Sequence, residues 1–537
     1  MLKTSSDQRK PLPNFEHLFA TTAQAPSGVA RLRELILTLA VQGKLVAQDA
    51  SDEPASELLK KIWAEKDRLI AEGTIKKDKP LAAITEEEKP FELPEGWEWV
   101  RLGVLAKKIT DGSHNPPANS YSGYPMLSSQ NVKDGGVIDF ENPSRYLSEE
   151  DFKSEDLRTK IEPNDVLLTI VASLGRAAVV PEKSPKFALQ RSVAVINTGI
   201  SPWFLSMFLG SPIGRAYFDK HAKGTAQKGI YLGKLAELPV SVPPLAEQFR
   251  IVTRVEELMR LCDALEEKGR LEHTQHQQLL QAMLDSLTQT TDAHELARHW
   301  QRLAQHFDLL IDRPEAVDAL EQTILQLAVR GLLTNSFSNE DANDVLLGDV
   351  AELINGDRGS NYPNKEEYVE EGIPFINTGH IDPDGKLSNK RMNRITREKF
   401  ESLRSGKVMK NDLVYCLRGA TLGKTAMVEY EEGAIASSLV IIRPREKINS
   451  DFLYLFLVSP EGRKNIYLYD NGSAQPNLAA NSVRKYKIKL PSLVEQFRIV
   501  ARVTELRALC QQLREKLTQA RTTQTQLAQA WVEQVAA

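Results

Sequence analysis

Two stretches of the chain place hydrophobic residues at alternating intervals of four and three positions. Such spacing aligns these residues along one face of a helix and predicts a heptad seam in two long helices. A proline just before each stretch fits a helix start. An ordinary core-facing helix gives the same pattern, but the glutamine-rich continuations favour long, partly exposed spacer helices. The seams are Ile251, Val255, Leu258, Cys262 and Leu265, and then Ile499, Val503, Leu506, Cys510, Leu513 and Leu517.

Short hydrophobic runs bounded by Gly, Pro, Asn or Asp predict β-strands in two other regions. In the same regions, Ser148 and Thr396 supply hydroxyl caps for helix starts, and Asp151 is placed for a capping box. Each region is therefore predicted to be a mixed α/β module with a mainly antiparallel sheet. Residues 73–96 have the composition of a linker, and residues 29–71 and 291–333 are amphipathic helical stretches. The strand runs lie at 166–173, 192–196, 412–417 and 438–444.

The chain contains an internal repeat. Residues 243–262 and 491–510 match at a constant offset, with Glu-Gln-Phe-Arg-Ile-Val intact in both copies. A second pair is ILTLAVQGKL at 36–45 and ILQLAVRGLL at 324–333. Between these anchors the sequences diverge but keep matching turn residues. Chance does not produce two such matches in one chain, so the repeat is genuine. Each half holds one variable module of roughly 145 residues and one closely repeated helical segment.

The overall charge argues mildly against a nucleic-acid-binding protein. The 537 residues carry a net charge of −4 and give a pI of about 6.2, whereas DNA-facing domains are usually basic. The charge is uneven, however, because one segment has nine basic residues against the acidic Glu398 and Glu401. This segment fits either a phosphate-binding face or a charged helix that faces solvent. Its basic residues are Lys386, Lys390, Arg391, Arg394, Arg397, Lys399, Arg404, Lys407 and Lys410.

Motifs that resemble catalytic sites are incomplete in this sequence. Residues 115–117 read Asn-Pro-Pro, as in base-flipping amino-methyltransferases, but Ala118 stands where an aromatic residue would stack on the extruded base. Residues 418–425 read RGATLGKT, but three residues rather than four separate the two glycines of this near-phosphate-loop. The three cysteines lie far apart and indicate neither a disulfide framework nor a zinc site. We expect a non-catalytic, cytoplasmic chain without a signal peptide or membrane span.

Several motifs together resemble those of type I restriction–modification specificity (S, HsdS) subunits. They are the entry Leu-Pro-Glu-Gly-Trp-Glu-Trp at 93–99, Asp-Gly-Ser-His at 111–114, Gly-Thr-Ala-Gln at 224–227 and Gly-Ser-Ala-Gln at 472–475. A Pro-Leu-x-Glu-Gln-x-Arg-Ile exit follows at 244–251. The resemblance covers about residues 90–537, as two variable modules that alternate with two repeated helical segments. The second module lacks the Trp-Glu-Trp entry and has only Leu-Leu-Gly at 346–348.

The resemblance implies an α+β fold. Two α/β target recognition domains are expected, separated by long antiparallel coiled-coil helices and related by an internal pseudo-twofold repeat. The expected segments are an N-terminal helical region and linker (1–90), target recognition domain 1 (91–243), a central helical spacer (244–343), target recognition domain 2 (344–490) and a C-terminal helix (491–537).

The resemblance also implies a mechanism and partners. Each recognition domain would read one half of a bipartite site in double-stranded DNA, and the helices would fix the gap and dock two N6-adenine methyltransferase (M) subunits. Motor-nuclease (R) subunits would join for cleavage. S-adenosylmethionine, ATP and Mg²⁺ would belong to these partners, with no cofactor or metal in this chain and no membrane contact. The alternatives are a coiled-coil scaffold with two peptide-binding heads and a fused methyltransferase, which the missing S-adenosylmethionine loop opposes.

Candidate site residues are polar side chains that hydrogen-bond base edges, Arg or Lys to guanine and Asn or Gln to adenine. Each could instead be a solvated or capping loop residue. In the first module they are His114, Gln130, Asn131, Lys133, Arg176, Arg191, Gln227 and Lys228. In the second they are Arg358, Asn377, His380, Arg391, Asn393, Arg394, Arg418, Lys424, Gln475 and Asn477. The predicted partner-docking residues are Glu247, Gln248, Phe249, Arg250, Glu495, Gln496, Phe497 and Arg498.

Overall fold

The computed structural model describes residues 22–23, 25–77, 80–224, 227–290, 293–334, 343–469 and 477–536. The chain divides into two compact units. Unit 1 comprises Met1–Arg270 with Arg521–Ala537, and unit 2 comprises Leu271–Ala520. Each unit holds one of the two modules that the sequence repeat predicts.

Unit 1 begins with two helices and continues into the first module. The two helices are α1 (Gly28–Val41) and α2 (Ala55–Ala71). The strands are β1 (Glu98–Arg101), β2 (Ala106–Asp111), β3 (Tyr124–Leu127), β4 (Arg145–Leu147), β5 (Val166–Thr169), β6 (Ala177–Val179), β7 (Ala188–Leu189), β8 (Val193–Thr198) and β9 (Pro239–Val242). The remaining helices are α3 (Leu102–Leu105), α4 (Glu149–Thr159), α5 (Pro202–Gly210), α6 (Pro212–His221) and α7 (Leu232–Ala236).

A long helix, α8 (Leu245–Gln289), begins in unit 1 and ends in unit 2. Unit 2 then has α9 (Ala293–Gln305), α10 (Phe307–Leu310) and α11 (Pro314–Val329) before the second module. The strands of that module are β10 (Asn343–Leu346), β11 (Ala351–Asn355), β12 (Tyr368–Ile376), β13 (Asn393–Ile395), β14 (Lys407–Met409), β15 (Leu413–Cys416), β16 (Thr425–Met427), β17 (Glu432–Ile435), β18 (Leu439–Pro444) and β19 (Lys487–Leu490). Its helices are α12 (Leu347–Val350), α13 (Arg397–Ser402), α14 (Ser450–Val458), α15 (Pro460–Tyr469) and α16 (Ala480–Val483).

The last helix, α17 (Leu493–Ala536), begins in unit 2 and ends in unit 1, so the two long helices cross the boundary in opposite chain directions. The helices contain 45 and 44 residues, which corresponds to about 67 and 66 Å at 1.5 Å per residue. The predicted seams are buried at their starts, where Ile251, Cys262, Ile499 and Val503 are nearly inaccessible to solvent. The heptad interpretation is therefore confirmed.

The two modules share one topology. The strand order is β2-β8-β5-β6 in the first module and β11-β18-β15-β16 in the second, and all of these pairs are antiparallel. A second sheet accompanies each, three-stranded in the first module (β4-β3-β7) and four-stranded in the second (β13-β12-β17-β14, with β14 added), and each contains one parallel pair. The predicted strand runs are confirmed. The mainly antiparallel sheet predicted for each module is also confirmed, and each module adds a second sheet, because the chain crosses over between β3 and β7 and between β12 and β17.

A matched Asn-Asp pair stands directly before the first strand of the β5–β6 hairpin and of the β15–β16 hairpin. Asn164 and Asn411 have positive φ angles of 71° and 69°, a conformation that asparagine tolerates better than most residues. The aspartate that follows is buried in both modules. Asp165 accepts hydrogen bonds from Lys108 and Asn197. Asp412 accepts two from Arg443, one from Nη2 at 2.8 Å and one from Nε at 2.9 Å. A buried carboxylate needs such partners, which gives this dipeptide a structural role in both halves.

A two-stranded ribbon closes each module. β1 pairs antiparallel with β9, so that Glu98 lies opposite Val242, and β10 pairs with β19 in the same way. The chain therefore enters and leaves each module side by side. In the second module, β10 takes the place of the Trp-Glu-Trp entry that the sequence lacks.

The segment before the first module is held in place rather than free. The buried guanidinium of Arg101 donates to the carbonyl oxygens of Ala82 and Ala83 and to both carboxylate oxygens of Glu88. These hydrogen bonds hold the pKa of Glu88 at about 2. The stretch at 73–96 that was predicted to be a linker lies between α2 and β1, and one arginine holds residues 82–88 of it in place.

The predicted helix caps are confirmed. The hydroxyl of Ser148 accepts a hydrogen bond from the backbone N–H of Asp151 at 3.1 Å, and that of Thr396 accepts one from Lys399 at 3.2 Å. The side chain of Asp151 accepts from the Ser148 hydroxyl at 2.7 Å, rather than from the backbone N–H that a capping box uses.

Candidate nucleic-acid interface

A buried glutamine fastens each module to its long helix. Gln248 accepts a hydrogen bond from the backbone N–H of Ser201 at 2.8 Å and donates to the carbonyl of Pro243 at 2.9 Å. Gln496, at the matched position, accepts from the N–H of Asn449 at 2.7 Å and donates to the carbonyl of Pro491 at 2.9 Å. Ser201 and Asn449 are the caps of the matched helices α5 and α14. We call these two arrangements the glutamine clamps.

The glutamate beside each clamp is also internal. Glu247 accepts a hydrogen bond from Trp97 Nε1 at 2.9 Å, and burial raises the pKa of its carboxyl group. Glu495, its counterpart, accepts from the hydroxyl of Thr334. These two residues and the clamp glutamines were predicted to dock a partner, which requires accessible side chains. Their burial assigns Glu247, Gln248, Glu495 and Gln496 to contacts within the chain instead.

Matched phenylalanines next to the clamps face solvent. Phe249 and Phe497 are each 59% exposed. Leu245 and Leu493, one helical turn earlier, are 41% and 42% exposed. The other two predicted docking residues are arginines: Arg250 pairs with Asp52, and Arg498 lies 3.4 Å from Glu495. Each unit thus presents a small apolar patch at the start of its long helix.

We expect Gln248→Ala to destabilise the first module and Gln496→Ala the second. Each change leaves a buried N–H and a carbonyl without their side-chain partner, at a cost of about 2–4 kcal/mol. Hydrogen exchange should accelerate in α5 for the first variant and in α14 for the second. Gln278→Ala, an exposed position of α8, is the control. Equal acceleration in both modules from either single change would contradict this assignment.

Hydrogen bonds between loops bring the candidate readers of the first module to one edge. The Ser113 carbonyl accepts from the N–H of Arg191 at 2.9 Å, and the Ser192 hydroxyl accepts from the N–H of Ser129 at 3.0 Å. The loop after β5 joins them, because the Ile170 N–H donates to the Ser192 carbonyl at 2.9 Å and the Ala172 N–H donates to the Lys228 carbonyl at 3.0 Å. These contacts connect the loops after β2, β3, β5 and β7 with residues 227–229. We call this surface reading edge 1.

Most candidate readers of the first module lie on exposed parts of these loops. His114 is oriented by Asp111, whose carboxylate lies 2.8 Å from the ring nitrogen and also accepts from Arg158 at 2.9 Å. Arg176 is half-buried and pairs with Asp134 at 3.2 Å. The exposed set is His114, Gln130, Lys133, Arg191, Gln227 and Lys228. An exposed tyrosine in the loop after β2, Tyr121, has a positive φ angle of 60°, and its sequence gave no signal that it would face solvent.

The second module forms a corresponding edge. The Ala436 N–H donates to the Ile376 carbonyl at 2.7 Å, and the Leu478 N–H donates to the Leu417 carbonyl at 2.9 Å. Arg418 and Asn477 form a β-bridge beside this contact. We call this surface reading edge 2. The exposed candidates of the module are Arg358, Arg391, Arg418 and Asn477, and the half-buried ones are Asn377, Asn393, Arg394 and Lys424. Gln475 lies outside the described residues.

Two candidate readers hold matching loops in place. Asn131 is buried, and its side-chain oxygen accepts a hydrogen bond from the backbone N–H of Ser128 at 2.9 Å. His380 is also buried, and its Nδ1 accepts from the N–H of Asn377 at 3.1 Å. Burial lowers the pKa of His380 and so favours the neutral ring that this bond requires. Both residues stand four positions after the last residue of a matched strand, where they fix the following loop.

Acidic side chains neutralise much of the basic segment 386–410. Arg391 pairs with Asp382, and Arg397, Lys399 and Lys410 each pair with a glutamate outside the segment. Arg394 donates to the carbonyl of Gly372 at 3.0 Å. This segment is therefore a weaker phosphate-binding surface than its sequence indicated.

The segment at 418–425, which resembles a phosphate loop in sequence, is the turn between β15 and β16, with positive φ angles at Gly419 and Gly423. In the described part of the chain, no cluster of three or more His, Cys, Asp or Glu side chains is arranged to hold a metal ion. No described helix combines the length and apolar character required to cross a membrane.

Comparison with known proteins identifies the family. The profile of the "Type I restriction modification DNA specificity domain" matches residues 94–274 and 339–520, which is more than half of the chain. The chain belongs to this family of type I specificity subunits. Both modules are therefore target recognition domains, and the predicted fold class is confirmed.

Relatives match one or both halves of this specificity subunit. The EcoEI specificity subunit of Escherichia coli is 30% identical over 94% of this chain and 93% of its own length. The EcoAI specificity subunit of Escherichia coli is 38% identical over 60% of this chain, but the match spans 55% of that protein. The HsdS subunit from Thermoanaerobacter tengcongensis has a solved structure that aligns with 83% of this chain and 98% of its own, at 19% identity and a TM-score of 0.40.

Proposed function

We propose that this specificity subunit is non-catalytic and that each module reads one half of a bipartite site in double-stranded DNA. The observation that carries the proposal is the duplication of a complete reading unit. Each unit has a main sheet with the same strand order, a second sheet with one parallel pair, a loop edge joined by hydrogen bonds between loops, and a glutamine clamp to a long helix. Two similar readers on one chain suit a target that consists of two different half-sites.

The chemistry of the reading edges supports contact with base edges and phosphates. Arg191 and Arg418 project from exposed loops, and arginine can bond guanine in a bidentate manner. Gln130 and Asn477 supply amides, which suit adenine. Most contacts of such residues are made to phosphate, so only some of them would determine sequence. The clustering of these side chains on connected loops supports the assignment more than any single residue does.

The long helices are proposed to set the gap between the half-sites. A continuous helix adds a fixed 1.5 Å per residue, whereas a flexible linker has no fixed length. One turn of DNA is about 34 Å, so helices of 45 and 44 residues extend over the length of nearly two turns.

The proposed partners are two N6-adenine methyltransferase subunits and the motor-nuclease subunits, in the cytoplasm where the DNA is found. Phe249 and Phe497, with Leu245 and Leu493, form two equivalent apolar patches that suit two copies of one partner. In this proposal S-adenosylmethionine is bound by the methyltransferase, and ATP and Mg²⁺ by the motor-nuclease subunits. This chain supplies the sequence recognition alone.

The proposal is tested by co-expression with a methyltransferase subunit of the same system, followed by mapping of methylated adenines in the host genome. We expect methylation confined to one bipartite motif. Methylation without a motif, or no complex between the subunits, would favour a protein scaffold instead.

We expect Arg191→Ala combined with Lys228→Ala to weaken DNA binding by the complex. If both side chains contact phosphate, the slope of log affinity against log salt should fall by about 1.8, which is 0.9 per contact. Lys183→Ala is the matched control, because this exposed lysine follows β6, at the end of the sheet opposite reading edge 1. Binding measured by anisotropy over a range of salt separates the variants. An equal loss of DNA affinity in the control would show that reading edge 1 has no special role in DNA binding.

A further inference from the structure

The duplication creates two similar pairs of helices, one in each unit. In unit 1, α1 packs on the first half of α8, with Leu32 and Ile36 in the same core cluster as Leu258. In unit 2, α11 packs on the first half of α17, with Leu320 and Ile324 in a cluster that includes Cys510. Leu32 and Ile36 match Leu320 and Ile324 in the repeat. The apolar surfaces therefore do not distinguish the correct pairing from the exchanged one.

The charges at the edges of these two interfaces are reversed. In unit 1 the arginine lies on the short helix, and Arg33 Nη2 is 2.7 Å from Asp263 and 3.0 Å from Glu266. In unit 2 the acid lies on the short helix. The Glu321 carboxylate is 2.6 Å from Arg507 Nε and 2.8 Å from Arg514 Nη2, and Asp318 lies 2.8 Å from the same nitrogen.

The reversal occurs between equivalent positions. In the alignment of the repeat, Arg33 corresponds to Glu321 and Glu266 corresponds to Arg514. Arg33 also lies 3.9 Å from the sulfur of Met259, whose counterpart is Arg507. The same geometry is therefore built twice with opposite signs.

We propose that this reversal selects the helix partners: the charges direct α1 to the first half of α8 and α11 to the first half of α17, and they exclude the exchange of these two first halves. If α1 packed on the first half of α17, rather than only on its C-terminal end as Arg31 does with Thr525 and Gln529, Arg33 would face Arg507 and Arg514. If α11 packed on α8, Glu321 would face Glu266. The same repulsion acts within one chain during folding and between two copies that exchange helices. The inference does not depend on the DNA-reading proposal.

Burial makes the selection effective. The side chain of Glu321 is 13% exposed, so solvent screens it less than a surface charge. Like charges opposed across an interface disfavour the wrong partner, and charged edge positions set partner choice in coiled coils in the same way. Asp263 and Glu266 are more exposed, which makes the α1–α8 contact the weaker of the two.

The test gives both helix pairs the same arrangement of charges, but it keeps the charges within each pair complementary. The levelled variant carries Ala30→Asp, Arg33→Glu, Met259→Arg, Asp263→Gln and Glu266→Arg, which copies the α11–α17 charges into unit 1; Ala30 is the exposed counterpart of Asp318. The full-length chain is unfolded in urea, refolded at increasing concentration and separated by size. We expect the fraction of helix-exchanged dimers and larger species to rise at least about tenfold over wild type, because opposed like charges no longer disfavour exchange.

A second variant separates selection from damage. The inverted variant adds Glu321→Arg, Arg507→Met, Gln511→Asp, Arg514→Glu and Asp318→Ala, so that both pairs are reversed and differ again. We expect its monomer fraction to return to that of wild type. The proposal is overturned if the levelled variant refolds to the same monomer fraction as wild type. It is equally overturned if the inverted variant refolds as poorly as the levelled one, since the charges would then stabilise contacts without selecting partners.

Discussion

Replacing residues 97–240 with the corresponding module of another specificity subunit is expected to change one half of the methylated target and leave the other half intact. All loops of reading edge 1 lie inside this range, and β1 and β9 pair at its two ends. The incoming module would meet the same ribbon geometry and the same Gln248 clamp. Mapping of methylated adenines in cells that express the hybrid with its methyltransferase measures the effect.

The reciprocal exchange is the control. Replacement of residues 344–490, the second module, should change the other half of the target and keep the first. If either exchange altered both halves, or neither, the two modules would not be independent readers and the proposed division of the target would be wrong.

Changing Phe249 and Phe497 together to alanine is expected to abolish stable docking of the methyltransferase. Each exposed phenylalanine is the largest side chain of its patch, and truncation of such an anchor typically costs about 2 kcal/mol or more, roughly a thirtyfold loss of affinity per site. Each single change should reduce the number of bound methyltransferase subunits from two to one. Native mass spectrometry of the co-expressed complex counts the subunits directly.

Leu261 and Leu509 provide a matched control for the phenylalanine pair. They are also equivalent in the repeat, they lie on the same two helices, and they are 53% and 55% exposed. Their double change to alanine should leave the stoichiometry unaltered. A loss of docking in this control, with binding retained in the phenylalanine variant, would move the docking surface along the helices.

Many elements of the fold could be predicted from local sequence patterns. The heptad seams, the strand runs and the hydroxyl caps depend on nearest neighbours along the chain, and the structure confirms them. The repeat added long-range information, because equivalent sequences build equivalent structures. The sequence did not predict the two-stranded ribbons. β10 has no sequence motif, and the paired residues Arg101 of β1 and Pro239 of β9 are 138 positions apart in the chain.

The site was harder to predict, since residue type does not reveal which way a side chain points. Asn131 and His380 have hydrogen-bonding groups suited to a base, but both accept hydrogen bonds from backbone N–H groups of their own loops. Gln248 and Gln496 stand in the best-preserved motif of the repeat, which suggested a surface for a partner, whereas their role is internal. A local sequence pattern also could not predict that arginines and lysines of the basic segment pair with glutamates that lie outside it. The remaining reading-edge residues stay predictions.

The ribbon at the base of each module has a consequence for how such a protein can evolve. Paired strands lie about 4.8 Å apart, so a module begins and ends at nearly one point on the helical frame. Insertions, deletions or a wholly different loop set between those ends need not displace the frame, provided that the two ends still meet. Selection can therefore act on target choice in one half of the molecule while the surfaces that assemble the complex stay fixed, and novelty in recognition does not require novelty in architecture.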